Sequence, residues 1–183
     1  MSKIVVPIAS GFEEIEAISI IDVCRRAGIE VVVAGVELIE VTGANNITIK
    51  SDCLFQDIDF SSVDMIVLPG GFGGTEVLSK NSLVQSQLKE FKAGDKYIAA
   101  ICAAPIALDK AGVLNQNFTC YPSCEEHIKV QGYDKNKKVV VDGKVITSRG
   151  PGTAICFGLE IVKTLKGQET YEMLKGGLLA DFC

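Results

Sequence analysis

The 183-residue sequence lacks tryptophan, holds a single histidine and has no apolar run of membrane-spanning length. Its longest apolar stretch, Tyr97 to Leu108, contains Pro105 and falls well short of the ~18 residues a transmembrane helix needs. A soluble protein with no membrane partner is expected. The one histidine, His127, lies in the polar segment from Ser123 to Lys138, where a solvated loop position is the simplest reading and a Cys–His dyad is placed in doubt. Positive charge is also short. There are 18 Lys+Arg against 23 Asp+Glu, for a net charge of -5, and the only basic cluster is Lys135 to Lys138, so no nucleic acid partner is expected.

The seven cysteines are odd in number and irregular in spacing, which does not read as a disulfide framework. No charged-then-apolar leader precedes the strand from Lys3, so a reducing, cytoplasmic location is expected. Cys120, Cys124 and His127 form C-x₃-C-x₂-H but lack an evident fourth ligand, and no metal is expected. Cys120 is also a candidate resolving thiol for an oxidised Cys102. Cys24, Cys53, Cys156 and Cys183 have no setting beyond packing or an exposed terminus.

Periodicity predicts a strand over Lys3 to Ile8, a helix over Glu13 to Ala27 closed by Gly28, and a strand over Glu30 to Gly35. Leu38 to Val41 and Asn46 to Lys50 suggest a hairpin, and Met65 to Leu68 and Tyr97 to Ile101 are short strands flanking a helix over Leu83 to Phe91. Further on come a helix over Ala104 to Ala111 and a strand over Asn117 to Cys120. Asp142-Gly143 then joins strands Val139 to Val141 and Lys144 to Ser148, and helices follow over Thr153 to Leu165 and Glu169 to Lys175. With no linker or repeat, residues 1–183 read as a single domain, an α/β three-layer sandwich with a mainly parallel sheet. Ligands are expected at the carboxyl ends of its strands.

Cys102 sits at such an end, on a strand-to-helix turn followed by Ala103 and Ala104, which are too small to cover a sulfur. Helix N–H groups beside it favour a thiolate, so the thiol is expected to ionise below the ~8.5 of an unperturbed cysteine. The glycine loop Pro69-Gly70-Gly71-Phe72-Gly73-Gly74 lacks the spacing of a nucleotide cradle. It suits backbone N–H groups approaching a substrate oxygen. Arg149 precedes the last long helix and is placed to meet an anion, a substrate carboxylate or a partner subunit, or equally to form a surface salt bridge. Glu13 and Glu14 read as first-turn acids favouring the helix dipole, and Thr153 as an ordinary helix N-terminal residue. Glu16 differs, because it shares a helical stripe with Ile20, Val23 and Ala27. An acid on that face needs a raised pKa and a buried hydrogen-bond partner, and the Cys102 sulfur is the candidate.

Four segments, Gly11-Phe12-Glu13-Glu14-Ile15-Glu16, Leu68-Pro69-Gly70-Gly71, Ala99 to Pro105 and Thr147 to Thr153, resemble the ThiJ/PfpI superfamily in its Parkinsonism-associated deglycase branch. The resemblance spans nearly the whole chain. It implies a flavodoxin-like homodimer with Cys102 as nucleophile and Glu16 as its acidic partner, with Gly70, Gly71 and the Ala103 amide flanking the thiol. Where many members carry histidine before the proline after the nucleophile helix, this chain has Tyr121 before Pro122, a candidate hydrogen-bond donor to substrate. The resemblance implies a cofactor-independent enzyme acting on reactive α-oxoaldehydes or their glycation adducts, or alternatively a redox sensor or holdase chaperone using Cys102.

Overall fold

The computed structural model describes residues 2–183. In chain order the elements are β1 (Lys3–Ile8), α1 (Glu14–Arg26), β2 (Glu30–Gly35), β3 (Glu40–Thr42), β4 (Thr48–Lys50), β5 (Cys53–Leu54), β6 (Met65–Leu68), α2 (Phe72–Lys80) and α3 (Ser82–Ala93). There follow β7 (Tyr97–Ile101), α4 (Pro105–Ala111), β8 (Asn117–Phe118), β9 (Gly132–Tyr133), β10 (Val139–Asp142), β11 (Val145–Ser148), α5 (Ala154–Lys166) and α6 (Gln168–Gly177).

The main sheet runs β10-β11-β7-β6-β1-β2-β5, parallel throughout except for the β10–β11 hairpin. Counting only β1, β2, β6, β7 and β11, the order is 2-1-3-4-5, the flavodoxin-like arrangement. Its central strands are apolar on both faces because helices cover both; Ile4, Val5, Ile66, Val67, Ile98 and Ala99 are all fully buried. Burying each of the larger aliphatic side chains is worth about 1.5–3 kcal/mol. The chain leaves β1 toward β2 in one direction and β6 toward β7 in the other. Right-handed crossovers therefore place α1 on one face and α2, α3 and α4 on the other, and α5 packs on α1. The switch point between β1 and β6 opens a crevice at the carboxyl ends of the strands.

Several boundaries differ from expectation. The segment read as a glycine loop is a turn only to Gly71; at Phe72 it becomes α2, with Gly73 and Gly74 in the first turn. Both pack closely on the loop after β1: a Cβ on Gly74 would lie 3.0 Å from the Phe12 backbone and one on Gly73 3.3 Å from Gly11. Strand β5, too short for a period-2 signal, extends the edge beside β2. The strand expected over Asn117 to Cys120 is two residues long and pairs with β9 in a separate small sheet.

The cysteine expectation needs one correction. Cys156 and Cys183, taken as packing or terminal residues, are joined by a disulfide, while Cys24, Cys53, Cys102, Cys120 and Cys124 are free. The bond ties the first turn of α5 to the segment after α6, two sites 27 residues apart in sequence, a separation that carries no local signal. No helix among the described residues is long and apolar enough to cross a membrane.

Candidate active site

Cys102 follows β7 with φ 64°, in the left-handed region. A side chain there costs roughly 1–2 kcal/mol, and two hydrogen bonds hold it. The Cys102 N–H donates to the Ser148 carbonyl at 3.0 Å, and its carbonyl accepts from the Tyr121 N–H at 2.9 Å. The turn is thus clamped between the end of β11 and the loop after β8. The sulfur is less open than Ala103 and Ala104 suggested, for Cys102 is only 6% exposed.

Glu16 reaches the same point from α1. Its stripe is buried as the periodicity predicts, with Glu16 and Ile20 at 0% exposure and Val23 at 2%. Glu13 caps the helix by accepting the Glu16 N–H at 2.8 Å. Oε2 of Glu16 accepts the Gly70 N–H at 2.8 Å, and Oε1 is buried without a partner. A Cβ on Gly70 would sit 2.5 Å from both Cys102 Cβ and Glu16 Oε2, so only glycine lets acid and thiol approach here. Gly71 at φ 87° then starts α2 and turns its N–H, with that of Ala103, toward the sulfur. The amide of Gly70 is thereby committed to the acid, and those of Gly71 and Ala103 face the thiol.

Burial raises Glu16 to a pKa of about 7, against the opposing pull of Cys102 and the Gly70 N–H. The thiol does not follow the expectation of easy ionisation. Burial first, then the Glu16 charge and its hydrogen bond, push Cys102 upward, and the Gly71 and Ala103 amides offset only part of this. The reason is electrostatic: an acid and a thiol in one buried site titrate as a pair, and the first negative charge resists the second. The sequence identified the acid but not this competition.

Tyr121 lies at the mouth. Its ring is 42% exposed, stands edge-on to Phe72 with centroids 6.3 Å apart, and packs where a Cβ on Gly150 would come within 3.1 Å. Phe72, 68% exposed, is a residue that sequence reading does not single out; its place one residue past Gly71 is the only signal the sequence offers. Tyr121 also borders a cleft of about 250 Å³ that continues over Arg149, Gly150, Pro151 and Thr153. Thr153 does more than begin a helix. Its hydroxyl meets that of Ser148 at 2.8 Å and accepts the Gly150 N–H at 3.1 Å, fixing the cleft floor.

Arg149 lines this cleft, and its charge works to lower the pKa of Cys120 and Tyr133. Cys120 is fully buried and, through burial and then the Cys124 and Glu125 charges, is pushed up to about 12. His127 is exposed on a short 3₁₀ turn beside the buried Cys124. Among the described residues, no three His, Cys, Asp or Glu side chains are grouped to hold a metal ion.

A thiol and a buried acid meeting beside the switch point of a flavodoxin-like sheet define a class of cysteine-centred α/β proteins, and comparison with known proteins places the chain within it. The DJ-1/PfpI family matches residues 2–164. Protein dj-1beta of Drosophila melanogaster is 42% identical over 186 residues, covering 100% of both chains. The glutathione-independent glyoxalase DJR-1.2 of Caenorhabditis elegans is 36% identical over 170 residues, covering 92% of this chain and 91% of its own. The crystal structure of Drosophila melanogaster DJ-1beta superposes with a TM-score of 0.94 at 42% identity, covering 98% of each chain. The chain belongs to the DJ-1/PfpI family.

Proposed function

We propose that the protein is a cysteine-dependent, cofactor-independent glyoxalase or deglycase acting on small α-oxoaldehydes or their early glycation adducts. The observation that carries this reading is Glu16, a buried acid with a pKa of about 7 facing a thiol that does not ionise readily by itself. Such an acid suits general-base work at neutral pH. Glu16 takes the thiol proton as the Cys102 sulfur bonds to the aldehyde carbon, and the new hemithioacetal oxygen is met by the Gly71 and Ala103 N–H groups. Glu16 then moves a proton from the former aldehyde carbon to the neighbouring carbonyl carbon, and hydrolysis of the resulting thioester frees Cys102. The net change for methylglyoxal is addition of one water to give lactate. On a hemiaminal glycation adduct, the C–N bond breaks as the Cys102 sulfur bonds to the same carbon, the amine leaves with the proton that Glu16 took from the thiol, and the resulting hemithioacetal follows the same course to the thioester and its hydrolysis.

The glyoxalase name of the Caenorhabditis elegans relative supports a small carbonyl substrate. A cytoplasmic homodimer with a role in carbonyl and oxidative stress completes the proposal; Ile15 and Ile18, exposed on α1, support a partner surface there. The test is steady-state turnover of methylglyoxal in thiol-free buffer by wild type and Cys102→Ser. Turnover lost in the variant is expected, and no turnover in wild type overturns the enzyme reading. One atom favours a second reading as a redox sensor or holdase chaperone: Glu16 Oε1, if protonated, would donate to an oxygen of a Cys102 sulfinate. Peroxide oxidation of Cys102 without any turnover would select it.

A further inference from the structure

We infer that the Cys156–Cys183 disulfide and the cavity around it form a thiol-exchange site for a small anionic thiol or its disulfide, separate from Cys102. The cavity, of about 370 Å³, is lined by Lys137, Lys138, Cys156, Glu160, Tyr171 and Cys183. It is large enough for a peptide-sized thiol to approach the bond. Lys137 and Lys138 are exposed, and Glu160, the only acidic side chain on the wall, also faces Lys163 at 4.0 Å. These three lysines stand against Glu160 and the main-chain carboxylate of Cys183, which leaves the region with excess positive charge on a protein whose net charge is -5. This is where the only basic cluster of the sequence goes. A γ-glutamyl tripeptide thiol such as glutathione brings two carboxylates and one ammonium, and its disulfide twice that, so both forms fit the charge of the site.

Cys183 is half-buried and Cys156 is 6% exposed at the base of α5, so Cys183 is the sulfur open to attack. An incoming thiolate bonds to Cys183 Sγ, the Cys156–Cys183 bond breaks, and Cys156 leaves as a thiolate. A second small thiol attacks the mixed disulfide, releases the small disulfide and leaves Cys183 reduced. Two small thiols are oxidised and one protein disulfide is reduced, their two protons passing to Cys156 and Cys183; the small disulfide runs the sequence backward. The segment after α6 is otherwise held by the buried Ala180 and by Lys138 Nζ donating to the Phe182 carbonyl. Reduction loosens it at the very wall that binds the thiol.

The test incubates the full chain carrying Cys102→Ser in glutathione buffers of varied ratio, traps thiols by alkylation, and reads the Cys156 and Cys183 peptides by mass spectrometry. Both cysteines should pass between disulfide and thiol with the ratio, and Cys156→Ser should trap a glutathione adduct on Cys183. The exchange rate with glutathione should fall about fivefold in high salt or in Lys137→Gln, while exchange with uncharged 2-mercaptoethanol is unchanged. Cysteines that remain reduced in fully oxidised glutathione overturn the inference. So does a disulfide that glutathione never opens, or a rate equally insensitive to salt for both thiols.

Discussion

Gly70 donates its N–H to Glu16 Oε2 at 2.8 Å, and its missing Cβ leaves the space through which Glu16 and Cys102 meet. Gly70→Ala would place a carbon 2.5 Å from each of them and 2.9 Å from the Ile101 carbonyl. Overpacking of this kind costs about 1–3 kcal/mol, which should lower the melting temperature by several degrees. Turnover should fall by at least ~10-fold even where the variant is folded. Gly152→Ala, with open space around it, should leave both unchanged.

Glu16 sets the pH dependence. As a general base with a pKa of about 7, it gives kcat/KM an ascending limb centred near pH 7. Glu16→Gln should remove that limb and lower the plateau by ~10²-fold or more. Stability carries the opposite sign. The folded pKa lies above the ordinary 4.5, so the folded chain binds the extra proton between about pH 4.5 and 7 and loses stability as pH rises through that window. A shift of this size corresponds to roughly 3 kcal/mol. Denaturant titrations at pH 5 and pH 8 should therefore show wild type losing more stability than Glu16→Gln across the interval.

Tyr121 and Phe72 shape the mouth without supplying the reacting atoms. Tyr121→Phe keeps the ring against Gly150 and the backbone N–H to Cys102, so it should change kcat by less than ~3-fold. Cys102→Ser should abolish measurable turnover. Phe72→Ala should act mainly on KM. His127→Ala, at an exposed position, should be silent in the same assay.

Glu14 belongs to a different task. Its buried carboxylate accepts from the Asn45 N–H at 2.6 Å, Asn45 Nδ2 at 3.0 Å and the Ile47 N–H at 3.4 Å, tying α1 to the β3–β4 hairpin. Burial works to raise its pKa, but the Asn45 side chain and these N–H donors together bring it below the ordinary 4.5. The contribution is thus present above about pH 4.5 and lost as pH falls through the folded value. Asn45→Ala should cost about 1–2 kcal/mol at pH 7, and less at pH 3, in denaturant titrations.

Much of this was legible in one dimension. The apolar runs of β1, β6 and β7 and the stripe through Glu16, Ile20 and Val23 state their own burial, because period and composition are local properties. The turn at Cys102 follows from a strand meeting small residues and proline. Four short segments sufficed to mark the family. Glu14 was read as a dipole acid because its partners, Asn45 and Ile47, lie a hairpin away, and α2 was hidden because glycines fill its first turn.

The sequence by itself therefore determined which residues are buried, where the strands end and that an acid and a thiol stand out against an apolar background. Only the tertiary structure decided how they interact. The left-handed turn at Cys102 depends on Ser148 and Tyr121, the raised pKa of Glu16 depends on complete enclosure, and the resistance of the thiol to ionisation arises because both groups share one buried site. The pairing of Cys156 with Cys183 likewise depends on α6 folding back along α5. Electrostatic coupling and bond formation act through space, and distances through space between residues far apart in the chain exist only once the sheet and its helices have packed.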